Sequence, residues 1–158
     1  MITCGTGYDA HRLSPDRKLI LGGIEIPHDR GLEGHSDADV LCHAIADALL
    51  GAIGESDIGH HFPNTDESIR GISSLEILRK VNSLLGGKNA RAVNVDATLI
   101  AEAPKIAPHI PAMREKIAAA LNLDTLRVSI KATTNEGLGA IGRGEGMAAM
   151  AVATVEME

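Results

Sequence analysis

The sequence predicts an α+β fold, a single-domain sandwich of one mostly mixed β-sheet covered on one face by helices. Three observations carry that expectation. The predicted elements run β, hairpin, α, α, β, α, β, β, so helices and strands alternate irregularly and the long strands can pair side by side. The chain has 158 residues, 44% of them hydrophobic, which is enough to bury a real core. No repeat, low-complexity tract or Pro/Ser-rich linker divides it, and residues 1–158 are read as one domain.

Residues 2–12 alternate β-formers with small residues and read as a strand. Asp9 and His11 lie two apart, so a strand points both to one face. Residues 18–27 read as two short strands around Gly22-Gly23. From about Ala38, the residues Val40, Leu41, Ala44, Ile45, Ala48 and Leu49 recur at helical spacing and form a buried stripe. Asp39, His43 and Asp47, each four residues from the last, line another flank of that helix. Asp37 is its expected N-cap, with His35 and Ser36 in reach of the same end.

Residues 57–66 are polar and turn-rich, and carry His60 and His61; they read as a loop over a pocket. As neighbours, those two histidines point apart and make a poor metal pair. Ser73-Ser74-Leu75-Glu76 has capping-box form and opens a helix to about Leu85, ended by Gly86-Gly87. A long strand over 92–101 leads into the loop Glu102 to Ile106, where Lys105 is placed to meet phosphate. A helix over 107–122 follows, with Pro108 and Pro111 in its first turn. A strand over 126–132 precedes a Gly-rich stretch whose Thr133, Thr134 and Arg143 are candidate phosphate contacts. The last strand, 147–156, has small and apolar residues on both faces, which predicts burial against other copies of the chain.

Composition excludes several functions. With one Tyr, one Phe and no Trp, the core must be aliphatic, and no aromatic platform exists for stacking bases. A net charge of −6 without a basic run argues against a nucleic-acid partner but allows a small anionic ligand. Cys4 and Cys42 make neither a disulfide framework nor a Cys-rich zinc site. No apolar segment is long enough to span a bilayer and no leader pattern is visible, so no membrane partner and a cytoplasmic location are the expectations.

Asp9 and His11 from a strand with His43 from a helix supply three N and O donors, the pattern of a catalytic zinc site with an open position. His35 and Asp39 are alternative ligands, and spacing alone does not choose among them.

Several stretches together are specific: Gly7-Tyr8-Asp9-Ala10-His11, the run His35 to His43, Asp57-Ile58-Gly59, Phe62-Pro63-Asn64-Thr65-Asp66, Ala103-Pro104-Lys105, Pro108 to Arg114, Lys131-Ala132-Thr133-Thr134 and Gly142 to Gly146. In order and across essentially the whole chain, they resemble the 2-C-methyl-D-erythritol 2,4-cyclodiphosphate synthase family of the non-mevalonate isoprenoid pathway. The resemblance implies a phosphorus–oxygen lyase that cyclises 4-diphosphocytidyl-2-C-methyl-D-erythritol 2-phosphate and releases CMP. It implies a homotrimer with active sites between subunits. Asp9, His11 and His43 match the family's zinc ligands, and Glu136 matches the holder of a second divalent ion, Mg2+ or Mn2+. His35 and Thr134 match the residues that stabilise the transferring group.

The same resemblance implies substrate contacts from Asp9, His11, His35 and Ser36, and from Asp57, Ile58 and Gly59 to the erythritol part. It adds Phe62, Pro63, Asn64, Thr65 and Asp66, and Arg143. The cytidine pocket would come from Ala101, Glu102, Ala103, Pro104, Lys105 and Ile106 with Ala132, Thr133 and Thr134 of a neighbouring subunit, and Asn135 and Glu136 would add substrate contacts. Two positions depart from the family: Ala140 stands where many members carry an aromatic residue beside an axial cavity, and Asn135 where Thr is common. A zinc-dependent nucleotide phosphohydrolase would use the same ligands and differ in product. A non-catalytic nucleotide-binding trimer would show a closed four-ligand site.

Overall fold

A computed structural model describes all residues 1–158. Its longest strand, β1 (Ile2–Ser14), pairs antiparallel with β7 (Gly146–Met157) from Ile2↔Glu156 to Arg12↔Gly146. β7 pairs antiparallel with β5 (Ala90–Ile100), and β5 runs parallel to β6 (Val128–Thr133). With β4 (Gly31–Leu32), these form a mixed five-stranded sheet in the order β4-β1-β7-β5-β6. The hairpin β2 (Leu19–Leu21) and β3 (Ile24–Ile26) stands apart. A parallel pair needs a crossover. The β5–β6 crossover carries α4 (Ile110–Leu121), entered through a 3-10 turn at Ala107–His109.

Helices α1 (Val40–Ala52), α3 (Ser74–Gly87) and α4 cover one sheet face. The core between the layers is aliphatic, as the missing aromatics require: Leu41, Ile45, Leu49, Leu78, Leu99 and Met113 are fully buried. Gly5 and Gly7 bring α1 onto the β1 backbone. A Cβ on Gly5 would lie 2.1 Å from the Ala48 carbonyl oxygen, and one on Gly7 1.9 Å from that of Ala44. Only residues without a side chain allow this approach. The same contact carries the second turn of α1 to the strand segment holding Asp9 and His11.

No helix covers the opposite face of the sheet. There Tyr8 is 61% exposed, Met150 56% and Val152 45%, on facing positions of β1 and β7.

Four local expectations are corrected. The N-cap of α1 is Asp39, whose Oδ1 accepts the Cys42 N–H at 3.1 Å; Asp37 instead caps α3 from across the fold. Asp39 is fully buried and also accepts the N–H groups of Gly22 and Gly23 at 3.0 and 2.7 Å. Its two oxygens are thus committed to joining the hairpin to α1. Ser73 is the N-cap of α3 by backbone geometry but makes no side-chain capping bond, because Asp37 serves that helix end. Gly86 and Gly87 complete α3 rather than stop it. The chain turns after them, with Asn89 at φ 53°. Leu126 lies in a 3-10 turn at Thr125–Arg127 and the strand begins at Val128.

Candidate metal centre

β1 presents Asp9 and His11 on its helix-facing side, and α1 presents His43 to them. Asp9 Oδ2 lies 2.8 Å from His11 Nε2 and 3.0 Å from His43 Nδ1, and the two ring nitrogens are 3.2 Å apart. These are the only side chains that converge in this way. Of the alternatives left open by spacing, Asp39 is spent on backbone N–H groups. His35 Nε2–H donates to the Asp66 carbonyl at 3.0 Å. Asp47 accepts the Ile58 N–H at 2.8 Å and ties the following segment to α1. Asp39, His43 and Asp47 therefore share a helix but do three different things.

The outer bonds fix which nitrogens face inward. A carbonyl oxygen can only accept, so His11 Nδ1–H donates to the Glu33 carbonyl at 2.6 Å, and the neutral ring turns its Nε2 lone pair to Asp9. His43 Nε2 points away, to the hydroxyls of Ser74 at 2.9 Å and Ser36 at 3.1 Å. Burial alone would lift the Asp9 carboxyl, but the hydrogen bonds and charges of His11 and His43 in their protonated forms outweigh it and hold Asp9 well below the ordinary carboxylate range. Burial would lower His11, but its bond and charge with Asp9 win and raise it. Three electron-rich atoms facing one another require a cation between them, a proton or a metal ion. Tetrahedral zinc with bonds of about 2.0–2.1 Å sets its donors about 3.3 Å apart, close to the spacing here. The donor set fits zinc or a similar divalent ion.

The three residues sit in the wall of a cavity of about 230 Å³. His35 and Ser36 add polar groups, and Ile58, Phe62, Ile69, Ile72 and Ile77 form its apolar side; Gly59 and Asn64 complete it. Asp57 caps the short helix α2 (Ile58–His61) through its bond to the His60 N–H, which positions Ile58 and Gly59 at the cavity. Pro63, Thr65 and Asp66 stand outside the lining, though Asp66 meets His35. His61 faces Glu55 at 3.6 Å and meets the His60 ring edge-on with centroids 5.2 Å apart, but this pair joins no group of three converging donors. A larger depression of about 550 Å³ at the other end of the sheet, between Asn82, Arg91 and Arg127, has no such convergence of donors.

The remaining predicted residues form a second cluster at the C-terminal ends of the parallel strands β5 and β6. Ala101 N–H bonds the Thr133 carbonyl at 3.0 Å, and Glu102 Oε1 accepts the Gly137 N–H at 2.7 Å. These bonds bring Ala101 to Ile106 together with Ala132 to Glu136. Thr134 Oγ1 accepts the Glu136 N–H at 3.2 Å, and Glu136 takes φ 51°. Every residue from Lys131 to Ala140 is exposed, and so are Ala103 and Lys105. Arg143 lies beyond, paired with Glu145 after the short helix α5 (Gly139–Gly142). None of these residues lines the cavity of Asp9, His11 and His43 in the same chain. Sequence reading missed Asp37 and Ser74 as partners of that site. The signal available in the sequence was the spacing of Ser74 with Ile77, Leu78 and Val81, which puts it on the buried stripe of α3.

The fold and site define an α+β protein with three side-chain donors able to hold a metal ion at the wall of a small cavity. The chain belongs to the YgbB family, which it matches over residues 2–156. It is 59% identical over 152 residues to the 2-C-methyl-D-erythritol 2,4-cyclodiphosphate synthase of Geotalea uraniireducens, covering 96% of this chain and 97% of that relative. Among solved structures, the bifunctional IspDF from Campylobacter jejuni superposes with a TM-score of 0.95 at 39% identity. All of this chain is covered, against 43% of that longer one. IspF of Plasmodium falciparum, solved as a CDP complex, gives a TM-score of 0.86 at 34% identity, covering 99% of this chain and 97% of that one.

Proposed function

We propose that this chain is a 2-C-methyl-D-erythritol 2,4-cyclodiphosphate synthase of non-mevalonate isoprenoid biosynthesis. The supporting observation is the convergence of Asp9, His11 and His43 beside a small half-apolar cavity, in a chain 59% identical to a relative of that name. The 2-phosphate of 4-diphosphocytidyl-2-C-methyl-D-erythritol 2-phosphate attacks the β-phosphorus. The bond from that phosphorus to the CMP phosphate oxygen breaks, and CMP leaves. Nucleophile and leaving group belong to one molecule, so the protein folds the substrate for in-line attack and neutralises charge.

Asp9, His11 and His43 hold zinc or a similar ion, and Glu136 holds a second one, Mg2+ or Mn2+. Such ions neutralise the diphosphate and polarise its phosphoryl oxygens. His35 and Thr134 steady the transferring group by hydrogen bonds. The apolar side of the cavity, with Asp57, Ile58 and Gly59, receives the methylerythritol part and excludes water. Ser36 and the segment Phe62 to Asp66 close over it. Ala101 to Ile106 and Ala132 to Asn135 read the cytidine through loop backbone groups, and Arg143 offers a further phosphate contact.

In one chain the cytidine cluster and the metal cavity are separate, and a sheet face stands uncovered that exposes Tyr8, Met150 and Val152 beside polar Thr6, Asp96 and Thr98. A homotrimer answers both facts: the bare faces of three copies pack together, and each cavity is completed by the neighbour's cytidine loop. The chain works as a single catalytic domain in the cytoplasm, with no nucleic-acid or membrane partner; no helix of it is long and apolar enough to cross a membrane.

Supplying the substrate with Zn2+ and Mg2+ and identifying the products by phosphorus NMR tests this reading. CMP with a cyclic diphosphate supports the synthase. CMP with a linear bisphosphate means that water is the nucleophile and a zinc-dependent phosphohydrolase is at work.

A further inference from the structure

Metal binding needs His43 to turn a lone pair, rather than an N–H, toward Asp9 Oδ2, which lies 3.0 Å from its Nδ1. Two residues outside the donor set, Asp37 and Ser74, bear on which proton the ring keeps. Ser74 is fully buried in the first turn of α3. Its hydroxyl touches both Asp37 Oδ1 and, at 2.9 Å, His43 Nε2. A carboxylate only accepts, so the single hydroxyl proton of Ser74 goes to Asp37. The oxygen then faces His43 with lone pairs only, and that contact is attractive only if His43 Nε2 carries the proton; the Asp9 carboxylate, 3.0 Å from Nδ1, pulls the single ring proton the other way unless a cation sits between them. Asp37 is itself locked, since it also accepts the N–H groups of Ser74 and Asp39 at 3.0 and 3.2 Å. Ser36 Oγ lies 3.1 Å from the same ring nitrogen and accepts the Ala38 N–H. If its hydroxyl donated to His43 instead, the ring would take the other tautomer and set two lone pairs against each other at the Ser74 contact.

We propose that the Asp37–Ser74 pair is a positioning device that holds His43 as its Nε2–H tautomer and aims its Nδ1 lone pair at the open side of the Asp9–His11 pair. It rests on the reading of those three residues as metal donors. Outer partners of this kind fix ring orientation and typically change metal affinity by about 10–100-fold when removed.

The test uses the full chain labelled with 15N-histidine, stripped of metal by chelation, with long-range proton–nitrogen spectra at alkaline pH. The expected spectrum shows His43 with a protonated Nε2 and a bare Nδ1. Ser74→Ala should shift His43 toward the other tautomer, weaken Zn2+ binding by about 10–100-fold and change the visible spectrum of the Co2+-substituted protein. Ser74→Thr, which restores the hydroxyl, should recover both tautomer and affinity. A wild-type His43 protonated at Nδ1 overturns the proposal without any variant. So does a Ser74→Ala protein with wild-type tautomer and Zn2+ affinity. Failure of the wild type to bind Zn2+ would sink the metal reading itself, while the tautomer still reports on the Asp37–Ser74 pair.

Discussion

Asp37 Oδ2 accepts the backbone N–H of Ser74 at 3.0 Å while its Oδ1 takes the Ser74 hydroxyl. A loop carboxylate thus caps a helix 37 residues further along the chain. The backbone supports the contact, with Asp37 N–H bonded to the Ile72 carbonyl and Gly71 N–H to the His35 carbonyl. Removing the carboxylate strands donors in a part-buried place, which costs about 1–3 kcal/mol. Asp37→Ala should lower the unfolding free energy of the metal-free chain by that amount in urea titration. Ser73→Ala, at the formal cap, should stay within about 0.5 kcal/mol of wild type, because its hydroxyl makes no capping bond.

Gly7 and Gly86 should respond to alanine in opposite directions. A methyl on Gly7 would meet the Ala44 carbonyl 1.9 Å away, and main chain cannot step aside. Gly7→Ala should cost more than about 3 kcal/mol, the upper part of the overpacking range, and lower the yield of folded protein. Gly86 lies in α3 with open space around its Cβ position. Gly86→Ala should stabilise by about 0.5–1 kcal/mol through helix propensity and a less flexible unfolded chain. Paired thermal melts check both.

The metal-free site should make stability depend on pH in a defined window. Asp9 is held below its ordinary value of 3.8, so its contribution is present above 3.8 and lost as pH falls through the lowered value. His11 is raised above 6.5, so its contribution is complete below 6.5 and lost as pH rises through the raised value. The pair stabilises most between 3.8 and 6.5. Zn2+ requires a neutral His11, so its affinity should fall as pH drops below that raised value. Urea titrations across pH with and without Zn2+ should show the metal's added stability growing toward alkaline pH. A pH-independent increment would contradict the assignment of His11 as a donor.

Taking away His43 leaves two donors. His43→Ala should weaken Zn2+ by more than the about 10–100-fold typical of an outer partner and abolish CMP release. Chelation of the wild type should do the same to activity, with recovery on adding Zn2+. Competition with a colorimetric chelator measures the first effect, and CMP chromatography the second.

The layer order, the hairpin at Gly22-Gly23 and the long strands were legible because periodicity and turn chemistry are local signals. The donor set was half legible: the spacing of Asp9 and His11 fixed a shared strand face. Spacing alone did not choose His43 over His35 or Asp39; beyond the family resemblance, the physical reason is that the Gly22 and Gly23 N–H groups consume Asp39 and Asp66 takes His35. The Asp37 cap was misplaced for the same reason. A carboxylate before a helix caps that helix by default, and nothing local reveals a second helix end closer in space. The meeting of Ala101 to Ile106 with Ala132 to Glu136 depends on parallel pairing of β5 with β6, a contact between strands separated by a whole helix.

The uncovered sheet face yields the last prediction. Val152 and Met150 are exposed on β7, and Thr6 and Tyr8 face them on β1. Large apolar side chains exposed together on one sheet face, here beside Asp96 and Thr98, mark a surface for contact with another protein surface. Val152→Asp puts a charge in the middle of that face without touching the helix-covered core, since the side chain points away from α1. If three copies meet there, desolvating the carboxylate at each junction costs far more than the contact returns. The mass measured by light scattering should fall from trimer to monomer while the helix and strand signal in circular dichroism is kept. If each cavity is completed by the neighbour's Ala101 to Ile106 loop, synthase activity should fall with it, while Zn2+ affinity stays near wild type. A Val152→Asp protein that remains trimeric would place the subunit contact on another surface, and one that is monomeric but fully active would show that one chain completes its own site.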